Sequence, residues 1–299
     1  MKAIGIDIGG TFIKGAICDG ALLLQRTKSP TNAGSGREAV IKSLFSVLDE
    51  LLPLADENSP IGVATAGDVN PYTGEIVYAT DTLPGFTGLK LGELVSDYTN
   101  RRVSVVNDAD GALIGEMEYG AARGKSDAVL LTLGTGLGSG IAVNGKILTG
   151  TNFRAARMGH ITLYPRGRKC TCGGSGCAEQ YVSATGLIKT ASQYGLDIKS
   201  DEPDRLFNLA LAGDSAAVRA LSEFLYDLSL VVMTAVNIFD PQIILIGGGL
   251  VQIKDLWWDK LIDILPDEAR ERVAPAALGN SAGVAGATIA EKYIIRNSQ

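Results

Sequence analysis

The feature that most constrains the fold is a strand–turn–strand pattern that occurs twice, once in each half of the chain. Residues 3–8 and 12–18 are short apolar runs on either side of Gly9-Gly10-Thr11. Residues 128–143 repeat this arrangement around the turn Leu133-Gly-Thr-Gly136. Apolar runs interrupted by glycine predict strands joined by tight turns. The two halves of the chain are therefore expected to be variations on one plan.

Helices are predicted to alternate with buried strands after each of these openings. Apolar residues recur at helical spacing in several segments, whereas short continuous apolar runs predict buried strands. The alternation favours a parallel α/β layer in each half, with a ligand cleft between two domains. The predicted helices are 37–52, 91–98, 109–118, 215–239 and 282–295, and the further predicted strands are 21–27, 61–64, 103–106, 146–148 and 242–246.

Composition limits the classes of partner. The chain has 299 residues, 46% of them hydrophobic, and a net charge of −6, so no basic face is expected to meet nucleic acid or a membrane surface. We expect no membrane-spanning segment, because no apolar run reaches the ~18–20 residues that span a bilayer. Asp7 interrupts the first apolar stretch, which argues against a signal peptide. We expect a cytoplasmic protein whose partner is a small molecule or another copy of itself.

One histidine and three cysteines lie within 18 residues and form the pattern H-x9-C-x-C-x4-C. They are His160, Cys170, Cys172 and Cys177, and His160 is the only histidine of the chain. One nitrogen and three sulfurs are a tetrahedral zinc set, and four protein ligands indicate a structural ion. Disulfides and unrelated thiols are the alternatives, but Cys170 and Cys172 are too close in sequence to bridge easily, and a third thiol would be left over.

The two glycine turns are candidate phosphate-binding sites. Glycine allows backbone N–H groups to approach an anion, and the threonine in each turn adds a hydroxyl donor. A tight hairpin is the alternative for either turn alone. Other nucleotide motifs fail on spacing, because Gly124-Lys125 lacks the glycine a Walker A loop needs at residue 119, and the turn at Gly134 lacks a dinucleotide fingerprint.

Asp108 is the candidate catalytic base. It follows the predicted strand 103–106 and Asn107, at the carboxyl end of a strand, where open α/β sheets bind ligands. The alternative is that this acid caps the helix that begins at Ala109. Together with two phosphate-binding turns, a carboxylate here indicates a group that accepts a proton from a hydroxyl attacking a phosphoryl group.

These motifs, in this order, resemble the ROK family of sugar kinases and repressors, within the actin–hexokinase–Hsp70 superfamily. The resemblance covers the Asp-x-Gly-Gly-Thr opening, Asn107-Asp108, the Leu-Gly-Thr-Gly turn, Gly159-His160, the cysteine block ending at Glu179, and the glycines at 247–249. It implies two RNase-H-like lobes, ATP, Mg²⁺ and a sugar as ligands, and a homodimer. The implied lobes are 1–118, with a C-terminal helix at about 282–299 packed on it, and 119–281, with the zinc loop 160–177.

The resemblance also implies roles for individual residues. Asp108 is expected to take the proton from a sugar hydroxyl, normally that on carbon 6, and Asp7 to orient Mg²⁺. The zinc loop is expected to present His160 and Glu179 to the sugar. The implied sugar contacts are Asn107, His160, Glu179, Gly67 and Arg157, and the implied ATP contacts are Asp7, Gly9, Gly10, Thr11, Lys14, Gly134, Thr135, Gly136, Gly247, Gly248 and Gly249.

Two positions depart from the family pattern. Arg157 stands where the family has a glutamate, and Thr82 stands where it has an asparagine. Arginine cannot accept hydrogen bonds from sugar hydroxyls. Three interpretations stay open: Arg157 pairs elsewhere and the protein is a hexose kinase of shifted preference, Arg157 contacts an anionic or substituted sugar, or the protein binds sugar with little or no turnover. The repressor branch is not expected, because the first phosphate-binding strand begins at residue 3.

Overall fold

A computed structural model describes residues 2–80, 82–199 and 202–294 of the protein. The strands are β1 (Ala3–Ile8), β2 (Phe12–Asp19), β3 (Leu22–Pro30), β4 (Ile61–Thr65), β5 (Asp68–Asn70), β6 (Glu75–Tyr78), β7 (Val103–Asn107), β8 (Ala128–Leu133), β9 (Leu137–Val143), β10 (Lys146–Ile147), β11 (Ile243–Gly247) and β12 (Val273–Pro275). The helices are α1 (Arg37–Leu51), α2 (Leu91–Thr99), α3 (Asp108–Tyr119), α4 (Ala184–Gln193), α5 (Pro203–Leu211), α6 (Ser215–Phe239), α7 (Trp258–Ile264), α8 (Asp267–Arg270) and α9 (Ala282–Ala287).

Two five-stranded sheets follow the same plan. The first has the order β3-β2-β1-β4-β7, and the second has the order β10-β9-β8-β11-β12. In the first sheet β1, β2 and β3 form an antiparallel meander, whereas β1, β4 and β7 are parallel. In the second sheet β8, β11 and β12 are parallel. The predicted α/β class and the repeat of one plan are therefore confirmed.

The chain divides into two compact units that are not continuous in sequence. The first contains Met1–Ser126, Gly140–Ala156 and Ala277–Gln299, and the second contains Asp127–Ser139 and Arg157–Ala276. The segment 140–156 belongs to the first unit because Ile147 N donates to Tyr293 O at 2.9 Å and Lys146 Nζ donates to Lys292 O at 2.7 Å. The expected division into 1–118 and 119–281 placed residues 140–156 in the second lobe, whereas they belong to the first unit.

Small residues allow α9 to pack closely on α3 in the first unit. A Cβ at Gly286 would collide with the backbone of Gly111, and a Cβ at Gly115 would collide with the carbonyl of Ala282. The helices therefore approach at backbone distance, which larger residues would prevent. This α9 is shorter than the predicted helix 282–295, since a separate 3₁₀ turn follows at Ala290–Lys292. Residue 295 of that prediction, and residues 295–299 of the C-terminal helix implied at about 282–299, lie outside the described residues.

Helix α6 of the second unit has the predicted bounds, 215–239. Asp214 begins it, because its carboxylate accepts hydrogen bonds from Ala216 N at 3.0 Å and Ala217 N at 2.9 Å, and Asp240 ends it in the left-handed region before Pro241. By length and composition α6 could cross a membrane, contrary to our expectation that no segment would. Twelve of its side chains are buried within the protein, as in the core helix of a soluble domain.

Candidate functional site

The first glycine turn joins β1 to β2 and is held by a threonine from the end of β3. Thr31 is fully buried; its hydroxyl donates to Gly9 O at 2.6 Å, and its N–H donates to Thr11 O at 2.9 Å. Gly10 and Thr11 are exposed, and a Cβ at Gly10 would lie 2.6 Å from Thr82 Cγ2. The turn thus presents exposed backbone, as a phosphate site requires. The sequence carried no signal for the role of Thr31.

Asp7 and Lys14 lie opposite each other on β1 and β2. Their charged groups are 3.8 Å apart. Burial raises the pKa of Asp7, and the nearby Lys14 ammonium lowers it by a smaller amount. A partly desolvated carboxylate next to an exposed glycine turn is a suitable outer ligand for a hydrated cation.

Asn107, at the end of β7, caps α3. Its Oδ1 accepts from Ala109 N at 2.9 Å and Asp110 N at 3.3 Å, and its Nδ2 donates to Gly67 O at 2.9 Å. The amide therefore fixes the backbone of Gly67, which has a φ of +105° and would place a Cβ 2.5 Å from Tyr78 O. The helix cap considered for Asp108 belongs to Asn107 instead.

Asp108 is the first residue of α3, and its side chain reaches solvent. Its Oδ1 accepts a hydrogen bond from Ala109 N at 2.8 Å. Desolvation of the carboxylate by the surrounding protein, followed by the charge of Asp7, raises the pKa of Asp108 to about 6. Hydrogen bonds from Ala109 and Asn107 lower this pKa by smaller amounts. An accessible carboxylate with this pKa is ionised at neutral pH and is a competent proton acceptor.

A second acid, Asp110, lies beside Asp108 on α3, and no sequence motif distinguishes it. Burial, followed by the charges of Asp108 and Asp68, raises the pKa of Asp110 to about 8. Asp68 is itself held by Arg154, whose Nε donates to Asp68 Oδ2 at 2.8 Å. Asp110 is therefore protonated at neutral pH, which leaves Asp108 as the ionised member of the pair.

In the second unit, two predicted ATP-binding turns lie side by side at the ends of β8 and β11. Gly134 follows Leu133 of β8, and its N–H donates to Gly136 O at 3.0 Å. Gly248 follows β11 with φ +86° and ψ −175°. A Cβ there would lie 2.5–2.7 Å from the backbone O, N and C atoms of Leu133. Only glycine permits this close approach, which brings 134–136 and 247–249 together.

The four predicted zinc ligands converge in the second unit. Their ligand atoms all lie within 4.8 Å of one another. Cys170 Sγ is 3.7 Å from His160 Nδ1, and Cys172 Sγ is 3.6 Å from Cys177 Sγ. Tetrahedral zinc, with Zn–S distances of about 2.3 Å, places its ligand atoms roughly 3.5–3.8 Å apart. The donor set therefore fits zinc, and the cysteines are free rather than bridged.

Arg157 and Glu179 lie at the two ends of the segment that carries these ligands. Arg157 is half-buried, and its carbonyl accepts from His160 N at 2.9 Å. The pKa of Cys172 is lowered chiefly by a hydrogen bond from Gly174, against the effect of burial; hydrogen bonds with Cys170 and Cys177 lower it further, and the charge of Arg157 makes the smallest contribution. Glu179 is half-buried, and its Oε2 accepts from Leu137 N at 3.1 Å. Arg157 and Glu179 are thus both held by hydrogen bonds, Arg157 to His160 and Glu179 to Leu137.

Arg168 anchors the same segment, although nothing in the sequence distinguished it from a solvated basic residue. Its guanidinium donates to Gln180 O at 2.6 Å and Gly186 O at 3.1 Å, and its backbone N–H donates to Tyr181 Oη at 2.8 Å. It also stacks over the Tyr181 ring, 4.5 Å from the ring centroid. The segment is therefore tied to the start of α4 independently of any metal.

Comparison with known proteins gives consistent results over nearly the whole chain. The family model of the ROK family matches residues 3–292. The chain is 33% identical over 307 residues to a glucokinase from Halalkalibacterium halodurans, covering 95% of this chain and 92% of that protein. It is 30% identical over 308 residues to a glucokinase from Thermotoga maritima, covering 96% of both. A ROK family glucokinase from Streptomyces griseus, solved in complex with glucose and AMPPNP, has a TM-score of 0.82 at 29% identity and covers 97% of this chain and 98% of its own.

Proposed function

Because this chain belongs to the ROK family, we propose that it is a sugar kinase that transfers the γ-phosphoryl group of ATP to a hexose hydroxyl, that on carbon 6. Similarity to glucokinases over 92–96% of their length supports the phosphorylation of a sugar. The relative bound to glucose and AMPPNP supports ATP as the donor. The thiol ligands are consistent with the reducing cytoplasm as its location, and the expected homodimer stays a prediction.

The observation that carries this proposal is the state of Asp108. It is an accessible carboxylate at the carboxyl end of β7, with a pKa raised to about 6 by its surroundings. A general base needs a pKa close to the working pH, so that it is ionised and yet still takes a proton. Its neighbour Asp110, with a pKa of about 8, stays neutral and does not repel an incoming phosphate.

The proposed reaction balances with one proton transfer. The sugar hydroxyl oxygen attacks the γ-phosphorus of ATP, the bond to the β-phosphate oxygen breaks, and ADP leaves. Asp108 accepts the hydroxyl proton and later releases it to water. The Gly9–Thr11 turn and the Gly134–Gly136 turn offer backbone N–H groups to the phosphates. Asp7 would hold Mg²⁺ through water, and that ion would offset the phosphate charge.

Gly247–Gly249 would flank the adenosine, beside the phosphate turn that follows Leu133. Asn107 is proposed to act mainly through the protein, because its amide already binds Gly67 O and the first amides of α3. His160, Cys170, Cys172 and Cys177 would hold a structural zinc ion, whose chemistry is to fix the segment that ends at Glu179.

The position of Arg157 favours an uncharged hexose over an anionic sugar. Three zinc-bound thiolates would carry more negative charge than the ion neutralises, and Arg157, whose charge makes a small contribution to lowering the pKa of Cys172, would offset part of it. This supports the interpretation that Arg157 pairs within the protein, and leaves the substrate contact to Glu179 and His160.

A coupled assay of ADP formation across a sugar panel tests the proposal. The panel contains glucose, mannose, N-acetylated hexosamines, a hexuronate and a sugar phosphate, each with ATP and with polyphosphate. We expect saturable turnover with ATP and an uncharged hexose. The Asp108→Asn variant should lose at least about a hundredfold in kcat, as loss of a general base does. Asp97→Asn, the same change at an exposed position of α2, is the control.

Three outcomes would contradict parts of the proposal. Absence of turnover with every sugar, in protein that still binds a sugar and nucleotide, would identify a sugar-binding protein without kinase activity. Full activity in Asp108→Asn would remove Asp108 as the base. Turnover only with the hexuronate or the sugar phosphate would restore the anionic-sugar interpretation of Arg157.

A further inference from the structure

The segment that carries the zinc ligands contacts the phosphate turn Gly134–Gly136 and the start of β9 at four points. Met158 N donates to Ser139 Oγ at 3.0 Å, and Leu137 N donates to Glu179 Oε2 at 3.1 Å. Ala184 N donates to Gly134 O at 2.9 Å. Gly159 lies so close to Leu137 O that a Cβ would collide with it. Both ends of the turn are therefore held from outside.

These four contacts come from the two ends of the metal-binding segment. Residues 158–159 precede the first ligand, His160, and residues 179–184 follow the last ligand, Cys177. The two ends also pair with each other, since Thr162 and Cys177 form an antiparallel bridge and Ala178 N donates to Ile161 O at 2.9 Å. Coordination of His160 and Cys177 to one ion would fix both ends together.

Glu179 makes the closest connection between the segment and the turn. Its carboxylate faces Gly136, where a Cβ would collide with Oε2 and lie 3.2 Å from Cδ. Its main-chain oxygen accepts from Ser183 Oγ at 2.7 Å, which fixes the residue at the start of α4. A hydrogen bond from a backbone N–H to a carboxylate is a strong one. The proposed sugar contact would use the other carboxylate oxygen, Oε1.

We infer that Glu179 is a positioning residue for the phosphate turn, in addition to its proposed sugar contact. The metal-binding segment would thereby set the affinity for the phosphoryl donor as well as for the acceptor. This inference rests on the proposed function, because it takes Gly134–Gly136 as a nucleotide-binding turn. Because one carboxylate would serve both sites, a change in the turn that moves Glu179 would also alter the proposed sugar contact, and the binding of the two substrates would be coupled.

Two substitutions of Glu179 separate the two roles. Glu179→Ala removes the acceptor for Leu137 N, so MgADP, titrated by calorimetry without sugar, should bind about fivefold to tenfold more weakly. Glu179→Gln keeps an oxygen that accepts from Leu137 N, so its MgADP affinity should stay within about twofold of the original, while the KM for the sugar rises. Lys189→Met is the control, because it breaks the 2.8 Å bond from Lys189 Nζ to Gln180 Oε1, which does not involve the turn.

A substitution in the phosphate turn itself tests the inference if Glu179→Ala does not fold. Gly136→Ala would push the Glu179 carboxylate away, whereas the nearest atom to a Cβ at Gly134 is 4.0 Å distant. The KM for the sugar should therefore rise by a larger factor in Gly136→Ala than in Gly134→Ala.

The outcomes separate this inference from the proposed function. If Glu179→Ala binds MgADP as tightly as the original protein, Glu179 does not position the turn and the inference is overturned, while the kinase proposal stands. Equal effects of Gly136→Ala and Gly134→Ala on the sugar KM would also overturn it. If the original protein binds no MgADP, the proposed function fails and the inference fails with it.

Discussion

Substitution of Gly248 by alanine should destabilise the second unit, and the structure gives the size of the effect. The backbone at Gly248 has φ +86° and ψ −175°, a region used almost only by glycine, and other residues pay about 1–3 kcal/mol to enter it. The new Cβ would also lie 2.5–2.7 Å from three backbone atoms of Leu133, which cannot move as a side chain can. Overpacking of this kind costs about 1–3 kcal/mol. We expect Gly248→Ala to lower the free energy of unfolding by about 3–4 kcal/mol, within these combined ranges.

Gly249→Ala is the matched control for stability. A Cβ at Gly249 meets no atom within 4 Å, so its free energy of unfolding should change by less than about 0.5 kcal/mol. Urea unfolding followed by tryptophan fluorescence reports on the second unit, because both tryptophans, Trp257 and Trp258, lie in it. Equal unfolding midpoints for the two variants would refute the argument that the approach of Gly248 to Leu133 requires glycine.

Three further predictions concern charged residues. The pKa of Asp108, raised to about 6, should appear as the acidic limb of the pH profile of kcat/KM, with activity rising through about pH 6; a limb near pH 4 would contradict the assignment. Asp110 has a folded pKa of about 8, above the unfolded value of about 3.9, so it contributes stability that is lost as the pH rises towards 8. Asp110→Asn should therefore reduce the fall in unfolding free energy between pH 5 and 8 by up to about 1.4 kcal/mol per pH unit; an unchanged slope in urea titrations would disprove this. Arg157→Glu should lower zinc retention after dialysis by about tenfold relative to Arg157→Gln, because it places a negative charge near Cys172; equal zinc contents would show that the Arg157 charge does not act on the cluster.

Regular elements were predictable from the sequence because their causes are local. The bounds of α6 follow from a capping aspartate and a proline, and β8 follows from a continuous apolar run. The length of α9 was not predictable in this way. Its packing against α3 depends on Gly111 and Gly115, which are distant in sequence, and apolar spacing beyond residue 287 is equally compatible with a longer helix.

The candidate site was predictable where a motif is short and continuous. The spacing of His160 and the three cysteines was sufficient to predict their convergence, which the ligand atoms confirm. The roles of Thr31, Arg168 and Asp110 were not predictable, because each depends on a tertiary contact made by a residue type that is common on surfaces. Arg168 in particular had the sequence context of a solvated cation, yet its guanidinium donates hydrogen bonds to backbone carbonyls.

Thr82 and Arg157, the two residues that depart from the family pattern, lie next to motifs that match it. A Cβ at Gly10 would lie 2.6 Å from Thr82 Cγ2, so Thr82 packs against the first glycine turn, and Arg157 precedes the metal-binding segment, where its carbonyl accepts from His160 N at 2.9 Å. A sugar preference altered at either position would therefore be accompanied by a change in phosphate or metal binding. Since Glu179 connects that segment to Gly136, the acceptor sugar and the phosphoryl donor are best treated as one coupled specificity, measured by varying both substrates together.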